Sequence, residues 1–292
     1  MSSKNEMFAN VILASKHALS GTTLFTIHAR YPRIFHSELM THRDFSRNAG
    51  SSRAKPVMGV IKEVWNAPFI PWHWGQNQKR MQAGAPLTGW RLALAKAAWV
   101  GASKVACVVA YGMVKLGLHK QIPNRLLEPF TFIDVLISST KWENFLHLRN
   151  HKDAEPHFQD LAKLFKTALH NAVPQVLEEG QWHLPYVSWS ERRLPLDVQI
   201  KLSVARSARI SYAPFDGDAS IEKEIARYTL LVGSSPLHAS PAEHQAQADK
   251  GAPIFLKPGS YAWDNQNLSG NFDGGFIQYR KTLHGEVVRE AA

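Results

Sequence analysis

Apolar and polar positions partly alternate over residues 22–31, Thr-Thr-Leu-Phe-Thr-Ile-His-Ala-Arg-Tyr, a stretch rich in β-formers. This pattern predicts a strand closed by Pro32. Residues 34–43 predict a helix that delivers the chain into a polar, basic segment. From 66 to 90 periodicity is lost, and Pro68, Pro71, Gly75, Gly84, Pro86 and Gly89 mark a long irregular stretch. Apolar residues return over 88–118 but are interrupted by Lys96, Lys104 and Lys115. They predict a buried amphipathic helix or helix pair, broken near Gly101 and Gly117, and not a membrane span. Residues 122–129 read as a helix edge or turn. Glu155-Pro156 opens another helix, whose apolar face is Phe158, Leu161, Phe165, Ala168 and Leu169. Residues 199–212 fit helix or strand, 220–232 read as helix, and the tail from Ala246 is loop-rich with a turn at Gly270–Gly275. Without repeats, low-complexity tracts or a linker, the 292 residues read as one domain.

Composition narrows the class. Hydrophobic content of 45% and mean hydropathy of −0.25 describe a soluble globular chain. The start, Met-Ser-Ser-Lys-Asn-Glu, carries no apolar leader, so a cytoplasmic location is expected. The one cysteine, Cys107, excludes an intrachain disulfide, and its neighbours Val105, Ala106, Val108 and Val109 make it packing material and not a nucleophile. A net charge of +10 selects for anions: nucleic acid, acidic membrane or phosphorylated small molecules. The cations form no run, so composition alone leaves a nucleic-acid binder and a nucleotide enzyme both open.

The chemistry is densest in Met40-Thr-His-Arg-Asp-Phe-Ser-Arg-Asn-Ala-Gly-Ser-Ser-Arg53. Guanidinium forks, short hydroxyls and a backbone freed by Gly50 suit a phosphate, although a solvated basic loop has the same composition. His42-Arg43, seven residues, then Ser51 resembles the RHR-x7-S signature of the flavin-dependent thymidylate synthases. Glu38 resembles the polar residue preceding that signature, and Ser51-Ser52-Arg53 resembles its Ser-Gly-Arg ending. Thr41 stands where the first arginine is usual, and Ala49 where a glutamate is usual. Asn144-Phe-Leu-His-Leu-Arg149 resembles the family's N-F-x-x-L-R segment, and Arg125 in Asn-Arg-Leu-Leu-Glu-Pro resembles its A-R-x-x-L-P arginine. On their own, Arg149 reads as a surface arginine near a helix C-terminus and Arg125 as the partner of Glu128 at i, i+3. Ala208-Arg-Ile-Ser-Tyr212 and His238-Ala-Ser-Pro-Ala-Glu-His244 resemble two further family elements. These normally precede the RHR signature, so the chain looks circularly permuted, as in a long phage-like form, with 200–245 matching the family's usual N-terminal part.

The resemblance implies an α/β (α+β) fold, a twisted, mainly antiparallel sheet surrounded by helices, assembled as a homotetramer with active sites between subunits. It implies C5 methylation of dUMP to dTMP, with FAD supplying hydride, methylenetetrahydrofolate the carbon, and NADPH the reducing power. His42, Arg43, Asp44, Asn144, Ser211 and His244 would contact the flavin. Glu38, Ser51, Ser52, Arg53, Arg125 and Arg149 would bind dUMP, with Arg149 also the catalytic group that polarises the pyrimidine. No metal is expected, because His238 and His244 do not share one helical face, and neither a membrane nor a nucleic-acid partner is expected. A dUMP hydroxymethylase, a dCMP methylase or hydroxymethylase for modified phage DNA, and a basic nucleic-acid binder that kept the fold without the chemistry remain open.

Overall fold

The strand anticipated at 22–31 lies in the middle of a five-stranded sheet. The computed structural model describes residues 6–79, 81–210, 219–255 and 257–287. In chain order these form β1 (Phe8–His17), β2 (Thr23–Pro32), α1 (His36–Met40), β3 (Ser46–Ala49), α2 (Val57–Asn66), α3 (Gly89–Lys115), α4 (Gln121–Leu127), β4 (Phe132–Ser139), α5 (Glu143–Arg149), α6 (Pro156–Asn171), β5 (Gln175–Leu177), β6 (Trp182–His183), α7 (Leu196–Ala208), α8 (Ile221–Val232), β7 (Ala246–Ala248), β8 (Gly251–Pro253), β9 (Tyr261–Trp263), β10 (Phe276–Gln278) and α9 (Tyr279–Thr282). The sheet order is β3-β4-β2-β1-β5, antiparallel except for the parallel β1–β5 pair. The fold is therefore mixed α/β, with helices around a mainly antiparallel sheet.

The two faces of this sheet differ in chemistry. On one, Ile27, Ala29 and Tyr31 of β2 and Ile133, Val135 and Ile137 of β4 pack against Phe145 of α5 and Phe158, Leu161 and Phe165 of α6. The other face carries buried hydroxyls. Ser46, Ser138 and Thr26 stand in register across β3, β4 and β2, and Ser15 lies on β1. His183, His244 and Gln278, from the C-terminal half, hydrogen-bond to these hydroxyls. All eight residues of β4 are buried, which is why its near-continuous apolar run lacks the alternation that marks a half-exposed strand.

Three sequence expectations change. The helix expected over 34–43 is only the five residues of α1, because Arg47 Nη1 donates to the carbonyls of Leu39, Met40 and His42 and closes the helix end. The apolar region 88–118 contains one unbroken helix, α3, with no break at Gly101. Nor is α3 buried: it rests on α2 and α4 through Ala106, Cys107 and Ala110, while Leu94, Val105, Val108 and Leu116 are exposed. By length and composition alone α3 could cross a bilayer, and only 17% of its most apolar window is buried. Cys107 is buried, and desolvation pushes its thiol pKa up. Residues 199–208 fall in the helix α7, and the turn anticipated at 270–275 forms with Gly274 and Gly275 at φ 70° and 92°. A Cβ on Gly275 would meet the Trp263 ring at 2.5 Å.

Candidate functional site

Helix α5 ends on Arg149, and the buried rings of Trp142 and Phe145 lock that helix against α6. The guanidinium therefore points at the end of α1. Its Nε–H donates to His42 Nε2 at 2.9 Å, Nη1 to Glu38 Oε2 at 2.8 Å, and Nη2 to Thr41 Oγ1 at 2.8 Å and the Glu38 carbonyl at 3.4 Å. Because His42 Nε2 accepts, the ring is neutral and carries its hydrogen on Nδ1. Burial first, then the charges of Arg149 and Arg47, hold the His42 pKa down to about 4. Thr41, which stands where an arginine was the expected pattern, takes a hydrogen bond from Arg149 and donates one to the Glu38 carbonyl. Arg149 is thus no free surface arginine. It joins three residues of the His42 segment across 107 to 111 positions of sequence.

Glu38 and Arg149 line a cavity of about 850 Å³. Its other wall is the irregular segment Trp72-His73-Trp74, which no motif singled out. That segment is clamped to α6. His157 Nε2 accepts from the backbone N–H groups of Trp72 and His73, its Nδ1 pairs with Glu155 at 2.7 Å, and Asp160 accepts from Trp72 Nε1 and His73 Nε2. Lys96 of α3 and Lys152 also line the cavity, and neither pairs with another described residue. Sequence reasoning missed all five; the one signal available was aromatic crowding in a loop, where core packing does not call for it.

The other expected residues form two separate groups. Ser51, Ser52 and Arg53 make a 3-10 turn in which Ser51 Oγ accepts from the Arg53 backbone N–H. Asn124 Nδ2 donates to the carbonyls of Ser52 and Lys55, which sets Arg53 and Arg125 on adjoining turns, both exposed and unpaired among the described residues. Glu128 pairs with Arg33 at 3.5 Å, so the expected Arg125–Glu128 pair does not form. None of these residues lines the Glu38–Arg149 cavity. In the second group Arg43, Asp44 and Asn144 are exposed. The Asp44 carboxylate lies 3.6 Å from Lys141, and its carbonyl accepts from Ser139 Oγ. His244 is not exposed beside them: it is fully buried, with Nδ1 2.9 Å from Ser138 Oγ and no partner on Nε2. Burial holds its pKa down to about 3. Ser211 lies outside the described residues. Among the described residues no three metal-ligating side chains converge.

Fold and site together define a mixed α/β protein whose acid–arginine–histidine cluster opens on an aromatic cavity. No family model matches the chain. No curated protein matches its sequence. Among solved structures, the UMP/dUMP methylase PolB from Streptomyces cacaoi bound with 5-Br UMP is similar at a TM-score of 0.46 and 17% identity, over 56% of this chain and 88% of that one. The flavin-dependent thymidylate synthase ThyX from Helicobacter pylori, complexed with FAD and dUMP, is similar at 0.35 and 18%, over 50% of this chain and 67% of that one.

Proposed function

We propose that this protein is a flavin- and folate-dependent thymidylate synthase that methylates dUMP at C5, with methylenetetrahydrofolate and NADPH as co-substrates. The observation that carries this reading is the Glu38–Arg149 pair at the cavity wall. A uracil edge presents acceptor, donor, acceptor. The second Glu38 oxygen can accept from N3–H, while the Arg149 hydrogen left over can donate to a ring carbonyl and stabilise charge developing in the pyrimidine. A cytosine offers no N3–H, so this pair favours dUMP over dCMP. Neutral His42 supports Arg149 from behind without adding a charge.

The unpartnered Nε2 of His244 and the unpaired Arg43 fit a polar planar cofactor near the C-terminal end of β4; bound FAD would supply hydride chemistry there. Asp44, whose carbonyl accepts from Ser139 Oγ, adjoins the same strand end, and the motif reading adds His42 and Asn144. The permuted motif order is supported by the packing of Ala246 and Ala248 against Leu24 of β2. It is supported also by the chain of contacts His244–Ser138, Ser139–Asp44, which leads from one motif to the other through neighbouring residues of β4.

Two features support self-association, for which the family resemblance implies a homotetramer. Arg53 and Arg125, suited to a phosphate, do not line the cavity of their own subunit, which is consistent with a site completed by a second copy. The uncovered face of α3 exposes Trp90, Leu94, Val105, Val108 and Val109, continued by Leu116 just beyond it, an apolar stripe of the kind a second copy could cover. The decisive experiment incubates the protein with FAD, NADPH, methylenetetrahydrofolate and either dUMP or dCMP and reads product mass. A gain of one methyl group on dUMP is the expected result. A hydroxymethyl product, or turnover of dCMP alone, reassigns the reaction. A folded protein that shows no FAD binding tighter than about −8 kcal/mol, or micromolar, overturns the flavoenzyme reading.

A further inference from the structure

On the polar face of the sheet a continuous row of hydrogen bonds joins five side chains that have no exposed surface: Ser15, His183, Thr26, Ser138 and His244. Ser15 Oγ lies 2.7 Å from His183 Nδ1, and His183 Nε2 lies 2.8 Å from Thr26 Oγ1. Thr26 Oγ1 lies 2.6 Å from Ser138 Oγ, which lies 2.9 Å from His244 Nδ1. The inner end, His244 Nε2, is buried without a partner, a destabilising arrangement that packing does not explain. At the outer end Ser15 accepts from Gln175 Nε2 at 3.1 Å, and half-buried Gln175 lines two surface clefts of about 490 and 410 Å³.

Burial keeps both imidazoles neutral, with pKa values held down to about 3. A neutral imidazole has one N–H and a hydroxyl donates once, so the state of either end fixes the row when that end group donates away from it. When His244 Nε2 carries the hydrogen, every bond must point toward His244; when His183 Nδ1 donates to Ser15, every bond must point toward Ser15 and Nε2 presents a lone pair.

We propose that Ser15, His183, Thr26, Ser138 and His244 form a proton-conducting chain that delivers a proton from His244 Nε2, or takes one up there, for a group bound beside it. In delivery, the Nε2–H bond of His244 breaks toward the acceptor and Nδ1 takes the Ser138 hydroxyl proton. Ser138 takes that of Thr26, Thr26 takes the Nε2 proton of His183, and His183 Nδ1 takes that of Ser15. A cleft water that reaches Ser15 when the Gln175 side chain swings aside gives up a proton to restore it and leaves as hydroxide, so every member of the row ends neutral and the acceptor has gained one proton. The identity of the acceptor rests on the flavoenzyme reading above; conduction does not.

The test is nitrogen-15 NMR of the imidazoles in the full chain at pH 7. Conduction requires the His244 ring N–H to exchange with solvent deuterium at least tenfold faster than the backbone amides of β4, although the ring is fully buried. Thr26→Val, close in shape but without the hydroxyl, slows that exchange at least tenfold, and Thr26→Ser restores it. Exchange no faster than the amides in the wild type overturns the proposal, and that comparison decides even where Thr26→Val fails to fold. Exchange unchanged in folded Thr26→Val overturns it too. FAD titration of the same samples separates the two readings: fast exchange without FAD binding refutes the flavoenzyme and leaves the chain standing, and slow exchange with FAD binding refutes only the chain.

Discussion

Replacing Arg149 with alanine tests the site where its geometry is densest. The substitution removes hydrogen bonds to His42, Thr41 and Glu38 at once and leaves the Glu38 side chain, about one-third exposed, without its cation. A charge-assisted bond of this kind contributes roughly 1.5–3 kcal/mol. Solvent screening at Glu38 brings the expected stability loss to about 2 kcal/mol, a fall in Tm of roughly 4 °C or somewhat more for a chain of this size. If the guanidinium also stabilises charge in the pyrimidine, turnover of dUMP falls by about a hundredfold or more, while FAD affinity changes far less. The same variant carries an electrostatic signature. The Arg149 charge is the second cause holding the His42 pKa near 4, so His42 titrates at higher pH in Arg149→Ala. Arg149→Lys retains a charge but cannot serve three partners with one fork, so it keeps His42 depressed and still loses turnover. Calorimetry, imidazole NMR and a dUMP turnover assay read these three effects. Near-normal turnover with an unshifted His42 titration would refute the reasoning, because Arg149 would then be a surface arginine whose contacts matter to nothing.

Acid should destabilise the fold early: His183 and His244 have folded pKa values near 3, against 6.5 when unfolded, so the unfolded chain binds more protons between those limits. Their contribution is whole above pH 6.5 and declines as pH falls toward 3; each accounts for about 2–3 kcal/mol by pH 4.5, and urea melts of His244→Gln should show a shallower slope over that window. Gly101→Ala and Gly112→Ala meet open space on an exposed helix, so each should raise the stability of a separated subunit by roughly 0.5–1 kcal/mol; if that face is the subunit contact, sedimentation will show weaker assembly, and unchanged assembly in both variants removes α3 from the interface. Arg53→Ala and Arg125→Ala should raise the KM for dUMP and flatten its salt dependence with a smaller change in kcat, and a KM equal to wild type in both dismisses the phosphate assignment.

Local order in the sequence determined a good deal. The alternation at 22–31, the proline-opened helix at 156 and the glycine turn at 270–275 are written in neighbouring residues, and they appear where expected. Other features depend on what lies across the fold. Strand β4 is buried on both faces, so it lost the alternation that would have announced it. The length of α1 is set by Arg47, whose guanidinium takes the helix-end carbonyls. Whether α3 would be covered could not be read from its composition, since an apolar helix looks alike in a core and on an open face. The Trp72–Trp74 wall is held by His157 and Asp160, more than 80 positions away. Arg149 on its own read as a surface arginine until the fold gave it Glu38, Thr41 and His42. His244 belonged to a motif, yet only packing of the C-terminal half against the sheet's polar face buried it at the end of a hydroxyl row. Long-range pairings of this kind are chosen by which surfaces exclude water together, and no single stretch of sequence carries that information.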